Sequence, residues 1–437
     1  MYIEPLHIPM MYGRVAIASV ALTHALFATF IVGSSMIGAS FETLGQVSGK
    51  ARYERLARLI AFTLILSTAT VSFFGVILVF FLNIFWPQFW SALFRIMFWP
   101  LLLEASFFLA EAVFAYIWYY TWDWASTGVR KKLHIACGWL AAGSSLIAMV
   151  MIDIVASYML TPRPPSAFWQ MIFNPTMLYL DSHRIVGNLA WTGFGLAGIC
   201  AVAYLRARAQ EDRDFYRWAG GACFLVGFGA LLIMPIIGYQ YLLQIRYVEP
   251  QAFYTLMLGP RSWLFNLVAL LYSLVIITGS IYMLRSVWPS LSPESPGRVV
   301  LPLSLGLLVV AGIVLTLPYH LQHIPFVSRF TTQDINPWGK MQPNKYFAIA
   351  FLVMFGLINW LYFFRSFRSH WWQSSVEHSA RENRTSSLLM VLTVCSILIM
   401  LTMGWARETA RAFNGYLIYG QFNLTDEQST YQAERAP

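Results

Sequence analysis

The chain has 437 residues, of which 58% are hydrophobic and only 11% are charged, and its mean hydropathy is +0.58. This composition excludes a soluble globular protein of this size and indicates a polytopic membrane protein. The net charge of +9 does not indicate nucleic-acid binding, because the basic residues fall in short loops between apolar segments.

Ten apolar runs are each long enough to form a membrane-spanning helix, which requires about 20 residues. The runs are continuous rather than alternating, so they predict helices and not the strands of a barrel. The expected fold class is therefore all-α, a polytopic transmembrane bundle of about ten helices. The predicted spans are 15–42, 57–84, 93–121, 134–160, 183–207, 216–245, 263–287, 299–318, 345–366 and 387–406.

Basic residues concentrate in every second loop, which predicts that these loops face the cytoplasm. Both termini are then expected on the outer, periplasmic side of a bacterial-type inner membrane. The basic loops contain Lys50, Arg52, Arg55 and Arg58; Arg130, Lys131 and Lys132; Arg206, Arg208, Arg213 and Arg217; Arg285 and Arg298; and Arg365, Arg368, Arg381 and Arg384.

Ionisable residues lie inside the first and third spans, where each costs roughly 2.5–3.5 kcal/mol on insertion scales. His24, in SVALTHALFATF, is predicted about 15 Å below the outer end of its helix. Glu104 and Glu111, in LLLEASFFLAEAVFAY, are two helical turns apart and share one face. A structural pair neutralised by protonation or by an arginine is the alternative. Buried histidine and glutamate favour a metal or haem site with proton transfer.

Further candidates lie at the ends of other spans. His183 opens the fifth span, where an interfacial histidine without a function is equally consistent with the sequence. Glu408 stands between Arg407 and Arg411, a pattern of helix-end salt bridges that also suits haem propionates. Asp153 is an intramembrane carboxylate that either joins a proton path or pairs with an arginine. Met354 is one of 18 methionines, most of which serve in packing.

Other polar residues indicate no chemistry of their own. Interfacial positions without a function are expected for His134, His320, His323, His370 and His378, although the spacing of His320 and His323 also suits a metal. The cysteines occupy apolar runs, and the chain has no CxxCH motif, so covalently attached haem is not expected. The four cysteines are Cys137, Cys200, Cys223 and Cys395.

Six segments, read in order, resemble subunit I of the cytochrome bd-type oxidases. The first helix has Arg14 ten residues before His24 and continues into SFETLGQVSGKARYERL. The glutamate helix, the fourth-helix segment HIACGWLAAGSSLIAMVMIDIVASYMLTP and the fifth-helix segment SHRIVGNLAWTGFGLAG follow. KYFAIAFLVMFGLINWLYFF and MGWARETARAFNGY complete the series. The resemblance covers about three quarters of the chain.

The resemblance implies more than one haem b, with haem d as a further possibility. It implies that His24 is an iron ligand of a high-spin haem and that His183 and Met354 are the ligands of a low-spin haem. Glu408 would be a carboxylate iron ligand, and Glu111 a further one. Glu104 and Glu111 would also serve in catalysis. Arg14, Arg407 and Arg411 would contact the haems. A second membrane subunit is implied as partner.

The sequence also departs from the family. The two glutamates are one residue closer together than in the family, and the methionine lies two residues later. Residues 263–318 supply an inserted helix pair where the family has a long outer loop for quinol. Residues 1–262 and 319–412 are then the family-like parts of a single membrane domain over 1–437, and residues 413–437 form a tail.

These features predict a haem-bearing subunit of a bd-like respiratory oxidase. It would pass electrons from quinol or a periplasmic cytochrome to a high-spin haem where oxygen is reduced. The first alternative is a quinone-linked haem b subunit that relays electrons within a larger complex without reducing oxygen. The second is a proton-coupled transporter, which lacks support because no inverted repeat or matched pair of broken helices is evident.

Overall fold

The computed structural model describes residues 13–125, 127–163, 168–257, 262–316, 343–368 and 380–413. Within these residues the regular structure is helical, which confirms the predicted all-α class. The helices are α1 (Gly13–Ser48), α2 (Ala51–Phe85), α3 (Pro87–Ile96), α4 (Phe98–Tyr120), α5 (Gly128–Leu160), α6 (Phe168–Ile172), α7 (Met177–Arg206), α8 (Gln210–Val248), α9 (Pro250–Met257), α10 (Trp263–Val287), α11 (Gly297–Thr316), α12 (Pro343–Arg368) and α13 (Ala380–Phe413). A short 3₁₀ helix, Trp288–Ser290, follows α10.

Ten helices of the described residues are long and apolar enough to cross a membrane, which confirms the predicted number. The short helices α3, α6 and α9 were not predicted. The α3 segment begins at Pro87, a residue favoured in the first turn of a helix; the sequence analysis left residues 87–92 in the loop between two predicted spans and placed 93–96 in the second of them. Many large apolar side chains point outward, such as Phe73 at 63% and Val76 at 72% exposure. Such an apolar exterior fits a lipid environment rather than water.

The chain forms two compact units. Unit 1 comprises residues 1–185, 240–254 and 407–437, and unit 2 comprises residues 186–239 and 255–406. Four helices, α7, α8, α9 and α13, therefore contribute residues to both units. The segment boundaries expected from the sequence, including the inserted pair at 263–318, remain a prediction.

Unit 1 is built on the helix pairs α1–α2 and α4–α5. The connection between α1 and α2 is only two residues long and contains Gly49 at φ +65°, a left-handed conformation that glycine adopts without strain. The Gly49 amide donates to the Gly45 carbonyl at 2.9 Å and so closes the end of α1. A core cluster joins α1, α2, α4 and α5; its buried members are Ile31, Ala61, Leu64, Val71, Ala115, Trp118 and Ala141. This cluster fixes the helices that contain His24 and Glu111.

Unit 2 contains α10, α11, α12 and most of α7, α8 and α13. Its helices approach closely where small residues face each other: a Cβ on Gly193 would lie 2.4 Å from the Gly227 amide nitrogen. Polar side chains also join its helices. Thr393 donates a hydrogen bond to the Phe194 carbonyl at 2.7 Å, and Trp360 donates to the Leu225 carbonyl at 3.0 Å. Small residues and interhelical hydrogen bonds are the usual means of helix association in lipid.

Candidate haem-ligand site

His24 has the geometry of a preorganised iron ligand. Its Nδ1 lies 3.1 Å from the Val71 carbonyl oxygen of α2. A carbonyl only accepts, so Nδ1 carries the proton and donates, which leaves a lone pair on Nε2. The ring lies against Gly75, where a Cβ would be 3.1 Å from the His24 Cε1 atom. The hydrogen bond therefore sets both the tautomer and the ring orientation, as outer-shell partners do for metal-binding histidines.

Glu104 and Glu111 both lie on α4, as the sequence predicts, but their surroundings differ. Glu111 is only 2% exposed, and its Oε1 has no hydrogen-bond partner among the described residues. Glu104 is half-buried. Glu111 precedes Ala115 of the core cluster by one turn, and His24 bonds to Val71 of the same cluster. Unit 1 thus has an unsatisfied carboxyl group and a ligand-ready imidazole on helices that share one core.

His183 lies near the start of α7, in unit 1. The side chain is partly buried, and its Nδ1 is shielded but has no hydrogen-bond partner among the described residues. The imidazole packs against the ring of Tyr241, with centroids 5.9 Å apart. A shielded ring nitrogen without a partner is costly unless another group satisfies it.

A polar network fixes where α7 begins. Asn174 donates from Nδ2 to the Ser157 hydroxyl of α5 at 2.7 Å, and its Oδ1 accepts from the Thr161 hydroxyl at 3.1 Å. The Thr176 backbone amide also donates to Asn174 Oδ1, at 3.3 Å. The connection between α5 and α7 is therefore tied to α5 just before His183, which restricts the position of the imidazole.

The structure also identifies the partner of Asp153. This carboxylate is fully buried on α5, and Arg184 of α7 donates to its Oδ1. Of the two roles that the sequence left open, pairing with an arginine is the one observed. Asp153 Oδ2 and Asp181 Oδ1 accept from no donor group of the described residues, and the two carboxyl groups interact with each other. We call Asp153, Asp181 and Arg184 the Arg184 cluster.

The remaining predicted residues lie elsewhere or outside the described parts. Glu408 is half-buried in unit 1, 3.3 Å from Arg407, as expected for a salt bridge at a helix end. Met354 lies on α12 in unit 2 and is 44% exposed, whereas His183 belongs to unit 1. The side chains of Arg14 and Arg411 lie outside the described part of the chain, as do His320, His323, His370 and His378.

One group of functional-looking residues was missed by the sequence analysis. Glu42 of α1 is fully buried and accepts hydrogen bonds from three side chains: Trp118 Nε1 at 2.6 Å, Lys131 Nζ at 2.7 Å and His134 Nδ1 at 2.6 Å. We call these four residues the Glu42 cluster. His134 is therefore not interfacial as predicted, because it is only 2% exposed and its Nε2 lies 2.7 Å from the Trp118 carbonyl oxygen.

A signal for the Glu42 cluster existed in the sequence. Glu42 lies at the end of an uninterrupted apolar run, and Lys131 and His134 lie three residues apart on one helix face. Nothing in the sequence pairs residues that are separated by 92 positions, as Glu42 and His134 are. Charged residues at predicted span ends were therefore read as solvated when they are buried.

No three histidine, cysteine, aspartate or glutamate side chains of the described residues converge as they would around a bare metal ion. The donor set instead provides single imidazoles, each of a type that serves as a ligand of haem iron. His24 fits this role by its tautomer and orientation. His183 fits it by a shielded ring that the described residues leave unsatisfied.

These helices define an all-helical, multi-pass membrane protein, and His24 and His183 are its candidate cofactor ligands. A sequence model of the cytochrome bd terminal oxidase subunit I family matches residues 12–256. The match covers more than half of the chain, so the chain belongs to this family, which confirms the resemblance seen in the sequence. His24, Glu104, Glu111 and His183 fall within the match, whereas Met354 and Glu408 fall outside it.

Two known proteins are similar to this chain. Cytochrome bd ubiquinol oxidase subunit 1 of Bacillus subtilis (strain 168) is 25% identical over 238 residues, which are 52% of this chain and 49% of that protein. The chain thus spans about half the length of this curated relative in the match. The structure of the bd oxidase from Geobacillus thermodenitrificans aligns with a TM-score of 0.52 at 16% identity. The alignment covers 90% of this chain and 97% of the Geobacillus chain, and it supports the all-helical fold.

Proposed function

We propose that this chain is the haem-binding subunit of a bd-like respiratory oxidase in a bacterial inner membrane. Electrons would enter from quinol or a periplasmic cytochrome at the predicted outer side, and a second membrane subunit would complete the complex. Bound haems would supply electron transfer and the site of oxygen reduction, which consumes four electrons and four protons for each oxygen molecule. The observation that supports this proposal best is the His24 imidazole, oriented by Val71 with Nε2 left to bind iron.

The residues of this chain have separate roles in the proposal. His24 would bind one haem iron, and His183 would bind a second, a haem b, for which Met354 is also proposed as a ligand. Glu408 and Glu111 are proposed as carboxylate ligands of the high-spin site. Arg14, Arg407 and Arg411 would pair with propionates, because guanidinium groups bind carboxylates in a bidentate manner.

Glu111 and Glu104 would also hold protons for the reaction. Glu111 Oε1 is buried and has no partner among the described residues, so protonation is the simplest way to satisfy it. Glu104 is less buried and lies two turns away on the same helix face. The pair could thus pass protons along α4 in the low-dielectric interior.

An optical spectrum of the purified complex tests the proposal. We expect a Soret band that changes on reduction, and a further change when carbon monoxide binds the reduced high-spin haem. His24→Ala should remove the carbon monoxide response, whereas His183→Ala should remove the low-spin signal and retain that response. Tyr241→Phe is the matched control, since it retains the ring beside His183 and should leave both signals intact. Absence of any Soret band in the wild-type complex would refute haem binding.

An electron relay without oxygen reduction is the second candidate. It is favoured by one observation: the family match ends at residue 256, before the helices that contain Met354 and Glu408. A relay would show the low-spin signal but no carbon monoxide response in the reduced wild-type protein. The same spectra therefore separate the two functions.

A further inference from the structure

Arg184 is a partly buried cation next to a proposed haem ligand. It follows His183 directly on α7, and its side chain is only 17% exposed. Its partner Asp153 is fully buried on the neighbouring α5. A charge inside a membrane span is costly and is usually retained for a function. The ion pair fixes the guanidinium from a second helix, so its position relative to His183 is restricted.

The Arg184 cluster is not organised as a purely structural ion pair. Asp153 Oδ2 and Asp181 Oδ1 are buried and accept from no donor group of the described residues, and the two carboxyl groups instead interact with each other. A structural pair of arginine and carboxylate commonly forms two parallel hydrogen bonds and so satisfies both oxygens. Buried pairs also contribute little net stability, because desolvation offsets their attraction. Stability alone is therefore a weak reason for a charged group at this position.

The charge of Arg184 acts on both candidate iron ligands of unit 1. Arg184 directly follows His183 on α7, and its guanidinium lies within electrostatic range of both the His183 imidazole and the His24 imidazole of α1. Electrostatic interactions reach farther in the interior of a protein, where the effective dielectric constant is well below that of water. Arg184 is thus a fixed positive charge shared by two proposed haem sites.

A fixed positive charge favours the state of a nearby group that holds one more electron. Reduction of a haem from the ferric to the ferrous state adds one electron to the iron. A guanidinium near both iron sites therefore stabilises the ferrous state at each, and a nearby carboxylate opposes it. Asp153 has two effects: it fixes the guanidinium by a hydrogen bond and reduces its influence by its own charge.

We propose that Arg184 is a positioning residue, fixed by Asp153, that raises the reduction potentials of the haems bound at His183 and His24. This inference rests on the proposed function, since it requires that both histidines bind haem. It concerns electron transfer between the two sites: a common charge adjusts both potentials in the same direction. Both haems then become easier to reduce, and the driving force between them changes only by the difference between the two shifts.

The test is a redox titration of the purified complex, followed by the absorbance of each haem. Arg184→Gln should lower both midpoint potentials. The expected change is on the order of tenfold in the equilibrium constant for reduction, or about 59 mV for a one-electron couple. Arg184→Lys retains the charge, so its midpoint potentials should be close to those of the wild type. Asp153→Asn keeps a hydrogen-bond acceptor for Arg184 but removes the negative charge, so it should raise both potentials.

Arg95→Gln is the matched control, because it removes a positive charge from the exposed surface of α3 in the same unit. It should leave both potentials unchanged. The inference is overturned if Arg184→Gln and Asp153→Asn retain full haem content with unchanged potentials. Shifts of the same sign in both variants also overturn it, since that pattern indicates structural damage rather than charge. If Arg184→Gln fails to accumulate, the Asp153→Asn variant decides the test: higher potentials support the inference, and unchanged or lower potentials overturn it.

The outcomes separate this inference from the proposed function. A wild-type protein without haem refutes the proposed function and the inference with it. A wild-type protein with both haems, whose potentials do not respond to Arg184 or Asp153, refutes only the inference.

Discussion

Unit 1 contains two clusters of charged residues inside its helices, and they differ in how far the charged groups are satisfied by hydrogen bonds. In the Glu42 cluster, three donors bind the two carboxylate oxygens of Glu42, and Lys131 has a second partner in Glu54 at 3.2 Å. In the Arg184 cluster, two carboxyl groups lie near one guanidinium and interact with each other, and each has an oxygen that accepts from no donor group of the described residues. We call a cluster saturated when each of its carboxylate oxygens accepts a hydrogen bond from a donor, and unsaturated otherwise. A saturated cluster joins helices, whereas an unsaturated one retains charge that can act on other groups.

The Glu42 cluster joins three helices. Glu42 belongs to α1, Trp118 to α4, and Lys131 and His134 to α5. The ring of Trp122 packs edge-on against His134, with centroids 4.8 Å apart, and closes the cluster on one side. Because every donor binds within the cluster, its main effect is expected on stability rather than on chemistry.

The largest effect on stability should come from removing the centre of the saturated cluster. Glu42→Ala leaves Lys131 and His134 buried without their carboxylate, so we expect a loss of about 3–5 kcal/mol in the free energy of unfolding. Chemical denaturation in mixed micelles measures it. Glu54→Gln is the matched control, since that carboxylate is partly exposed and its loss should cost at most about 1 kcal/mol. Equal losses in the two variants would contradict a special role of Glu42.

A smaller effect is expected from removing one donor of the same cluster. Trp118→Phe leaves Glu42 Oε2 without the indole donor at 2.6 Å and should cost about 1–3 kcal/mol by the same denaturation assay. Trp139→Phe is the control: it removes an exposed indole hydrogen bond of 3.0 Å to the Thr43 hydroxyl. If the exposed tryptophan costs as much as the buried one, burial of the charged acceptor is not what matters.

The smallest effect on stability should come from the unsaturated cluster. Asp153→Asn retains an acceptor for Arg184, and the carboxyl group of Asp181 remains nearby. We therefore expect a loss of no more than about 1.5 kcal/mol in the free energy of unfolding. The same variant is expected to change the haem potentials. Substitutions in the Glu42 cluster should therefore affect mainly stability, whereas substitutions in the Arg184 cluster should affect mainly the haem potentials. A loss as large as that of Glu42→Ala would remove the distinction drawn between them.

The sequence was sufficient to predict the membrane spans but not to predict which residues of different helices interact. Long apolar runs are a direct consequence of bilayer thickness, so the ten spans could be predicted from the sequence alone. His24 and Glu111 could be selected because an ionisable group inside such a run is expensive. The partners of these groups could not be selected, because Val71, 47 residues from His24, contributes only a backbone carbonyl. Every residue has such a carbonyl, so no side-chain pattern marks it.

Charges near helix ends were the least predictable. The sequence rules treat a basic residue close to a span end as a marker of the cytoplasmic face. Lys131 satisfies that rule, yet it is only 4% exposed and bonds to Glu42. The rule concerns orientation and is silent on burial, which depends on which helices pack together. Asp153 shows the same limit: an arginine partner was considered, but packing selected Arg184.

Because the connection at Gly49 is only two residues long, the alignment of His24 with Val71 depends on the number of residues between each of them and this turn. His24 lies 25 residues before Gly49, and Val71 lies 22 residues after it. At about 1.5 Å per residue the two arms of this hairpin bring the imidazole and its acceptor to nearly the same height. One residue added to either arm would rotate its far end by about 100° and turn the donor from its acceptor. The lipid-facing side chains of both arms are therefore free to change, whereas the number of residues between ligand and turn is not.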